Sequence, residues 1–280
     1  MSGSILGSQK MPVNGLPLPI VEDDQTIEAM VEQAELPALL VALAHITGDT
    51  RLVADELRPP LRANPTGVEP QGGMSIAAQE RARQLAAETI RRYRDSGCPP
   101  PPELTSESLQ KLLAFITGES AAREYMDLLL HELGIPGDRG APAWRKDDIA
   151  PDRDFFVAVV GAGMSGLVMA HRLAQAGIRF TVLEKNSELG GTWWENSYPG
   201  CRLDTSNFAY SYSFPQKDDW PDYYSTQTAI LNYFREVADL LALRKHIQFN
   251  SEVRKAFFDE QRSLWRLEVE TSSGLKIIEA

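Results

Sequence analysis

The stretch F-F-V-A-V-V-G-A-G-M-S-G-L, from Phe155 to Leu167, constrains the fold more than any other part of the chain. Phe155 to Val160 is a short apolar run of the kind that forms a buried parallel strand, and it leads directly into Gly161-x-Gly163-x-x-Gly166. In such a turn the first glycine permits the tight bend. The second lets backbone N–H groups approach a pyrophosphate, and the third lets the following helix pack closely. The N–H groups at that helix start, together with the positive end of the helix dipole, form an anion site. Leu167, Ala170, Leu173 and Ala174 give the helix an apolar face, and Gly177 ends it. A second strand, Phe180 to Leu183, delivers Glu184 about 20 residues past the glycines, the spacing of a carboxylate that accepts both ribose hydroxyls of an adenine nucleotide. The glycine string alone also fits an ordinary tight turn, and Glu184 alone fits a solvated strand-end acid. Strand, turn, helix, second strand and terminal acid in this order point to an α/β fold with a dinucleotide-binding parallel sheet.

The residues after Glu184 bear on which dinucleotide. A simple nicotinamide dehydrogenase continues into another strand–helix unit, whereas E-K-N-S-E-L-G-G-T-W-W inserts a loop with the doublet Gly190-Gly191 beside bulky aromatics. Glycines there let backbone reach a ligand. A plain turn with tryptophans in the core is the other reading of the same residues.

The run from Gly161 through Phe214, including G-G-T-W-W-E-N-S-Y-P-G-C-R-L-D-T-S-N-F-A-Y-S-Y-S-F, resembles the amino-terminal FAD-binding half of type I Baeyer–Villiger monooxygenases. The resemblance covers roughly residues 153–280, and the helical segment before it is similar to that of the 4-hydroxyacetophenone monooxygenase branch. It implies a Rossmann-like FAD domain in which Gly161, Gly163, Ser165 and Gly166 cradle the pyrophosphate and Glu184 binds the adenosine ribose. Gly191, Thr192 and Trp193 would line the ribityl and flavin side, and Val253 would touch the adenine. Asp204 matches the family acid nearest the chemistry, packing by the flavin with Thr205 and Tyr210, while Arg202 and Leu203 lie near bound NADPH. A loop acid held by a cap is the other reading of Asp204. The implied reaction uses FAD, NADPH and O2 to insert oxygen beside a ketone carbonyl, giving an ester, with aryl ketones as the expected class. Trp194, Glu195 and Ser197 depart from residues that other branches carry as aromatic or basic, which bears on the substrate side of the pocket.

Other family features are missing. F-x-G-x-x-x-H-x-x-x-W occurs nowhere, none of His45, His131, His171 or His246 sits in such a setting, and there is no second G-x-G-x-x-G. The chain therefore reads as an amino-terminal fragment, its FAD domain incomplete at the carboxyl end and inactive by itself. An N- or S-oxidising flavin monooxygenase and a non-catalytic helical interaction module are the alternatives.

Before the glycine motif the pattern is helical. Apolar residues at helical spacing mark Thr26 to Ala34, Leu39 to Ile46, a long helix from Ser75 to Asp95, and two stripes, Leu109 to Ile116 and Ala122 to Leu133. Pro- and Gly-bearing loops fall at Arg58 to Gly73 and after Gly97, while Gly134 and Pro136 close the last stripe. The expected organisation is a disordered start over 1–25, a helical extension over 26–136, a linker over 137–153 and the FAD domain over 154–280. After the flavin loop, Thr226 caps a helix, and Val253 to Phe258, Leu264 to Thr271 and Leu275 to Ile278 read as an antiparallel meander. The helical extension carries no chemistry of its own, and the resemblance favours homodimer contact through it.

A net charge of -11 argues against nucleic acid or anionic membrane as a partner. Cys98 and Cys201 give neither a disulfide framework nor metal-ligand spacing, which suits a reducing cytoplasm. Leu36 to Ile46, the most apolar stretch, is too short to cross a bilayer.

Overall fold

Asp23, Ser75 and Thr105 each turn a side-chain oxygen onto a backbone N–H three residues on, and each thereby starts a helix. The computed structural model describes residues 19–60, 69–133, 137–217 and 219–280. The described residues fall into two units, a helical one over 19–133 and an α/β one over 137–280. The first contains α1 (Asp24–Gln33), α2 (Leu36–Thr47), α3 (Ile76–Asp95), α4 (Ser106–Thr117), α5 (Glu119–Glu124) and α6 (Met126–Glu132). Its core joins Ile27 and Val31 of α1, Leu36 and Leu40 of α2, and Phe115 of α4 around Ala82 and Ala86, whose small side chains let α1 and α2 lie close on α3. Gln71 staples the α1–α2 junction, accepting from Leu36 N–H at 2.7 Å and donating to Ala34 O at 3.0 Å.

Three details differ from the sequence expectation. Helix α1 takes in Asp24 and Gln25, assigned to the disordered start, because the Asp23 cap sets its beginning there; residues 1–18 lie outside the described residues. The stripe from Ala122 to Leu133 is two helices, broken where Tyr125 leaves helical geometry at φ -108, ψ 19. The segment 137–153, expected as a linker, holds α7 (Lys146–Ile149) and is tied to the α/β unit. Of the expected loops, residues 61–68 and the helix stop at 134–136 lie outside the described residues.

The α/β unit continues with β1 (Phe156–Val160), α8 (Met164–Gln175), β2 (Arg179–Leu183), α9 (Thr192–Glu195), α10 (Gln227–Leu240) and β3 (Ile247–Gln248), then β4 (Ser251–Asp259), β5 (Leu264–Thr271) and β6 (Gly274–Glu279). Strands β1, β2 and β3 form a parallel sheet in that order, with Val160 opposite Leu183, and β4–β5–β6 form the expected antiparallel meander. Alternation along the strands sorts the two faces. Val157, Val159, Phe180 and Val182 join Leu167, Ala170 and Leu173 of α8 and Ile230, Phe234 and Val237 of α10. Ala158 and Leu183 face the other way, onto Val253, Leu267 and Val269 of the meander. Covered on both sides, β2 is buried from Phe180 to Leu183, with Thr181 the one polar residue in that run.

The segment before β1 grips the end of α8. Asp138 accepts from Arg172 and Gln175, and Lys146 N–H donates to Ala176 O at 2.7 Å, so a carboxylate and a backbone donor meet the last turn of the helix. Among the described residues, no helix is long and apolar enough to cross a membrane, and no group of His, Cys, Asp and Glu is placed to hold a metal ion.

Candidate functional site

The strand-to-helix turn is fixed first. Gly161 bends at φ 93, a conformation side-chain-bearing residues rarely adopt, and its N–H donates to Leu183 O at 2.8 Å, closing the ends of β1 and β2 together. A methyl group on Gly166 would stand 1.9 Å from the Gly161 carbonyl oxygen, so this glycine lets α8 start against the turn. Gly163 is different. Its backbone is extended at φ -79, ψ -170, which any residue adopts, and an added Cβ would meet only the Gly191 backbone, at an ordinary 3.5 Å. Neither strain nor packing requires a glycine there.

Helix α8 is also uncapped. Asp23, Ser75, Thr105 and Thr226 cap α1, α3, α4 and α10 with side-chain oxygens, but Gly163 offers none to the first turn of α8. The first-turn N–H groups of α8 thus meet no side-chain acceptor from the N-cap position, and a helix start of this kind, with the dipole behind it, can hold phosphate oxygens.

Glu184 stands where β2 ends, only 3% exposed. Its Oε2 accepts from Ala162 N–H at 2.6 Å and its Oε1 from Asn186 N–H at 2.8 Å. Each carboxylate oxygen keeps a further lone pair, so the acid can accept ribose hydroxyls while it holds the glycine turn. Gly190 N–H donates to Ala162 O at 3.0 Å and brings the glycine doublet against the same turn. Gly191, at φ 55, touches Gly163: a Cβ on it would lie 3.0 Å from the Gly163 Cα.

Between these parts lies a cavity of about 230 Å³ whose walls include Gly161, Glu184, Gly191, Ser251 and Val253. The structure thus brings Gly161, Gly163, Gly166, Glu184, Gly191 and Val253 together. Ser165 and Thr192 are exposed in the first turns of α8 and α9. Trp193 and Leu203 instead belong to the core, where the Trp193 indole donates to the Tyr210 hydroxyl at 3.0 Å and their rings meet edge to face. Of the two readings of the Gly-Gly-Thr-Trp-Trp run, close backbone approach fits Gly191 and core packing fits Trp193. Arg202 bridges to Thr226, and Asp204 and Thr205 are exposed on the same loop; none of the three lines the cavity among the described residues.

Several residues that the sequence reading passes over hold this loop. Asn207, fully buried, donates to Asp222 O and accepts from Ser225 N–H at 2.9 Å. Gln227 reaches the Trp193 carbonyl. The Tyr212 hydroxyl donates to Met164 O at 2.6 Å, in the first turn of α8, and its N–H donates to the Tyr233 hydroxyl at 2.9 Å. Burial pushes both phenols well above the ordinary tyrosine range, so they stay neutral donors. The alternation in Y-S-Y-S-F was a usable signal: Tyr210, Tyr212 and Phe214 all turn to aromatic or histidine partners. Asn207 carried no such mark.

Residues 159–226 match the model of an NAD(P)-binding Rossmann-like domain. The chain is 29% identical over 248 residues to an uncharacterized monooxygenase, y4iD, of Sinorhizobium fredii, across 89% of this chain and 36% of that protein. It is 44% identical over 119 residues to a Baeyer–Villiger monooxygenase of Streptomyces coelicolor, across 42% of this chain and 22% of that protein. With the FAD-binding monooxygenase ktnD of Aspergillus niger the identity is 43% over 120 residues, across 42% of this chain and 20% of the relative. The chain therefore spans between a fifth and just over a third of the length of these relatives. Over part of its length the chain is thus similar to Baeyer–Villiger and FAD-binding monooxygenases, and residues 159–226 to a Rossmann-like domain.

Proposed function

We propose that this chain carries the FAD-binding part of an NADPH- and O2-dependent monooxygenase that converts ketones to esters. Gly163 carries the reading: a glycine that neither backbone strain nor packing demands stands at the uncapped start of α8, and what it leaves is room for a ligand. The N–H groups of Met164, Ser165 and Gly166 would hold the pyrophosphate, Glu184 the adenosine ribose, and Val253 the adenine side. Gly191 and Thr192 would lead toward the flavin. Bound FAD, once reduced by NADPH, would supply the activation of dioxygen, one oxygen atom entering the substrate and the other leaving as water. This chain's residues bind and orient the cofactor, and Asp204, with Thr205 and Tyr210 nearby, would place charge beside it; Arg202 and Leu203 would face the nicotinamide. Aryl ketones as substrates and closeness to the 4-hydroxyacetophenone branch belong to the proposal and rest on the helical segment before the glycine turn. Contact between two copies through that segment belongs to it as well.

The test joins this chain to the remaining length that its relatives carry and follows flavin absorbance co-eluting with the purified product, then 4-hydroxyacetophenone turnover with NADPH in air. The expected result is bound FAD and 4-hydroxyphenyl acetate. Absence of bound flavin would remove the cofactor assignment, and an N-oxide or sulfoxide formed from suitable substrates in place of any ester would move the reaction to heteroatom oxidation.

A further inference from the structure

Glu195, one of the residues that depart from the family loop, sits in a closed ring of contacts around the cavity. Its Oε1 accepts from Lys185 Nζ at 2.8 Å and from Asn186 Nδ2 at 3.0 Å. Asn186 N–H in turn donates to Glu184 Oε1 at 2.8 Å, and the Glu195 N–H donates to Gly191 O at 3.0 Å. Glu184 and Gly191 both line the cavity, and Lys185 and Glu195 line it as well. The seven-residue step from Lys185 to Gly191 is thus closed at its mouth by one carboxylate.

We infer that Glu195, through Lys185 and Asn186, latches the adenosine-ribose end of the dinucleotide site, fixing the separation of the Glu184 and Gly191 walls and slowing exit of the nucleotide. The inference rests on the proposed dinucleotide site. An exposed ion pair adds little to global stability, and the side chains of Lys185 and Glu195 are 54% and 41% exposed. A latch acts locally, on the mobility of two walls, so its effect belongs to ligand affinity and not to the melting temperature.

Electrostatics alone gives the opposite sign, which makes the inference testable. Removing a negative charge beside a diphosphate should tighten binding, whereas removing a latch should weaken it. The experiment is calorimetric titration of the chain and its variants with ADP. Glu195→Gln, which keeps an oxygen for Asn186 but frees Lys185, is expected to raise the ADP dissociation constant about two- to fivefold at low salt, with unchanged melting. Raising NaCl to about 0.5 M is expected to bring wild type and variant together, because an exposed pair is screened. In a Lys185→Met background, Glu195→Gln should add no further weakening. ADP binding by the wild type with unchanged or tighter binding by Glu195→Gln would overturn the latch alone. A wild-type chain that binds no ADP would overturn the dinucleotide reading and the latch together.

Discussion

At the scale of single residues, the glycines of the turn separate into two that the fold requires, Gly161 and Gly166, and one that it does not, Gly163. Gly166→Ala would place a methyl group 1.9 Å from the Gly161 carbonyl oxygen, against backbone that cannot give way without moving β1 from α8. This substitution is expected to cost about 3 kcal/mol or more and to lower the melting temperature sharply, read by circular dichroism. Gly163→Ala meets ordinary contact only, so it should melt like the wild type while losing nucleotide binding. Equal melting losses in the two variants would contradict the distinction. Glu184 also holds the glycine turn, a part that its sequence position does not reveal. It accepts Ala162 N–H and Asn186 N–H while buried, so Glu184→Gln would turn an amide donor toward one of two backbone donors. A stability loss of about 1–3 kcal/mol in denaturant unfolding is expected in addition to weaker nucleotide binding. A variant with unchanged stability would leave the acid to the ligand alone. The strand-end position and spacing of Glu184 were legible in the sequence; its two backbone partners were not, because they depend on how tightly Gly161 and Gly166 let the turn close.

At the scale of elements, regular structure was legible and its tethers were not. Period and caps gave α1 to α4, β1, α8, β2, α10 and the meander, since each buries a face that the sequence marks with apolar residues. Apart from the alternation of Tyr210, Tyr212 and Phe214, the loop between α9 and α10 has no such period. Its shape comes from Asn207, Gln227 and Tyr212 bonding to backbone 15 to 48 residues away; Tyr212 lies in a legible alternation, but the two amides are indistinguishable in sequence from solvated ones. The grip of residues 137–153 on α8 escaped for the same reason: Asp138 meets Arg172 across 34 residues.

That grip and the ring beside it give the α/β unit a pH dependence. His171 stacks on Phe214 at 4.8 Å, and burial, with the charge of Arg172, holds its imidazole below the usual 6.5 despite the opposing pull of Asp138. Burial likewise lowers His246, which packs on Phe180 at 4.5 Å. The folded unit therefore binds fewer protons than the unfolded chain as pH falls past 6.5. Stability from these rings is complete above that value and is lost as pH falls through the folded-state pKa values. Asp138 extends the loss to lower pH: burial raises its carboxyl, but hydrogen bonds from Arg172 and Gln175 outweigh this and hold it below 3.8. Melting temperature is expected to fall between about pH 7.5 and about pH 5.5, and His171→Phe, which keeps a stacked ring, should flatten part of that slope. A slope unchanged by His171→Phe would assign the dependence elsewhere.

At the scale of the whole molecule, two units with separate cores share one chain, and the residues that would meet a nucleotide all belong to the α/β unit. In this chain of net charge -11 the proposed site would meet an anion with backbone N–H groups and a helix dipole, since Met164, Ser165 and Gly166 carry no basic side chain. The dinucleotide reading is tested most directly by following backbone amide resonances of the chain as ADP is added to millimolar concentration. Shifts are expected to concentrate on Gly161 to Gly166, Glu184 to Asn186, Gly191 and Val253, and to be lost in Gly163→Ala. Amides that do not move, or movements confined to the helical unit, would contradict a dinucleotide site at this turn.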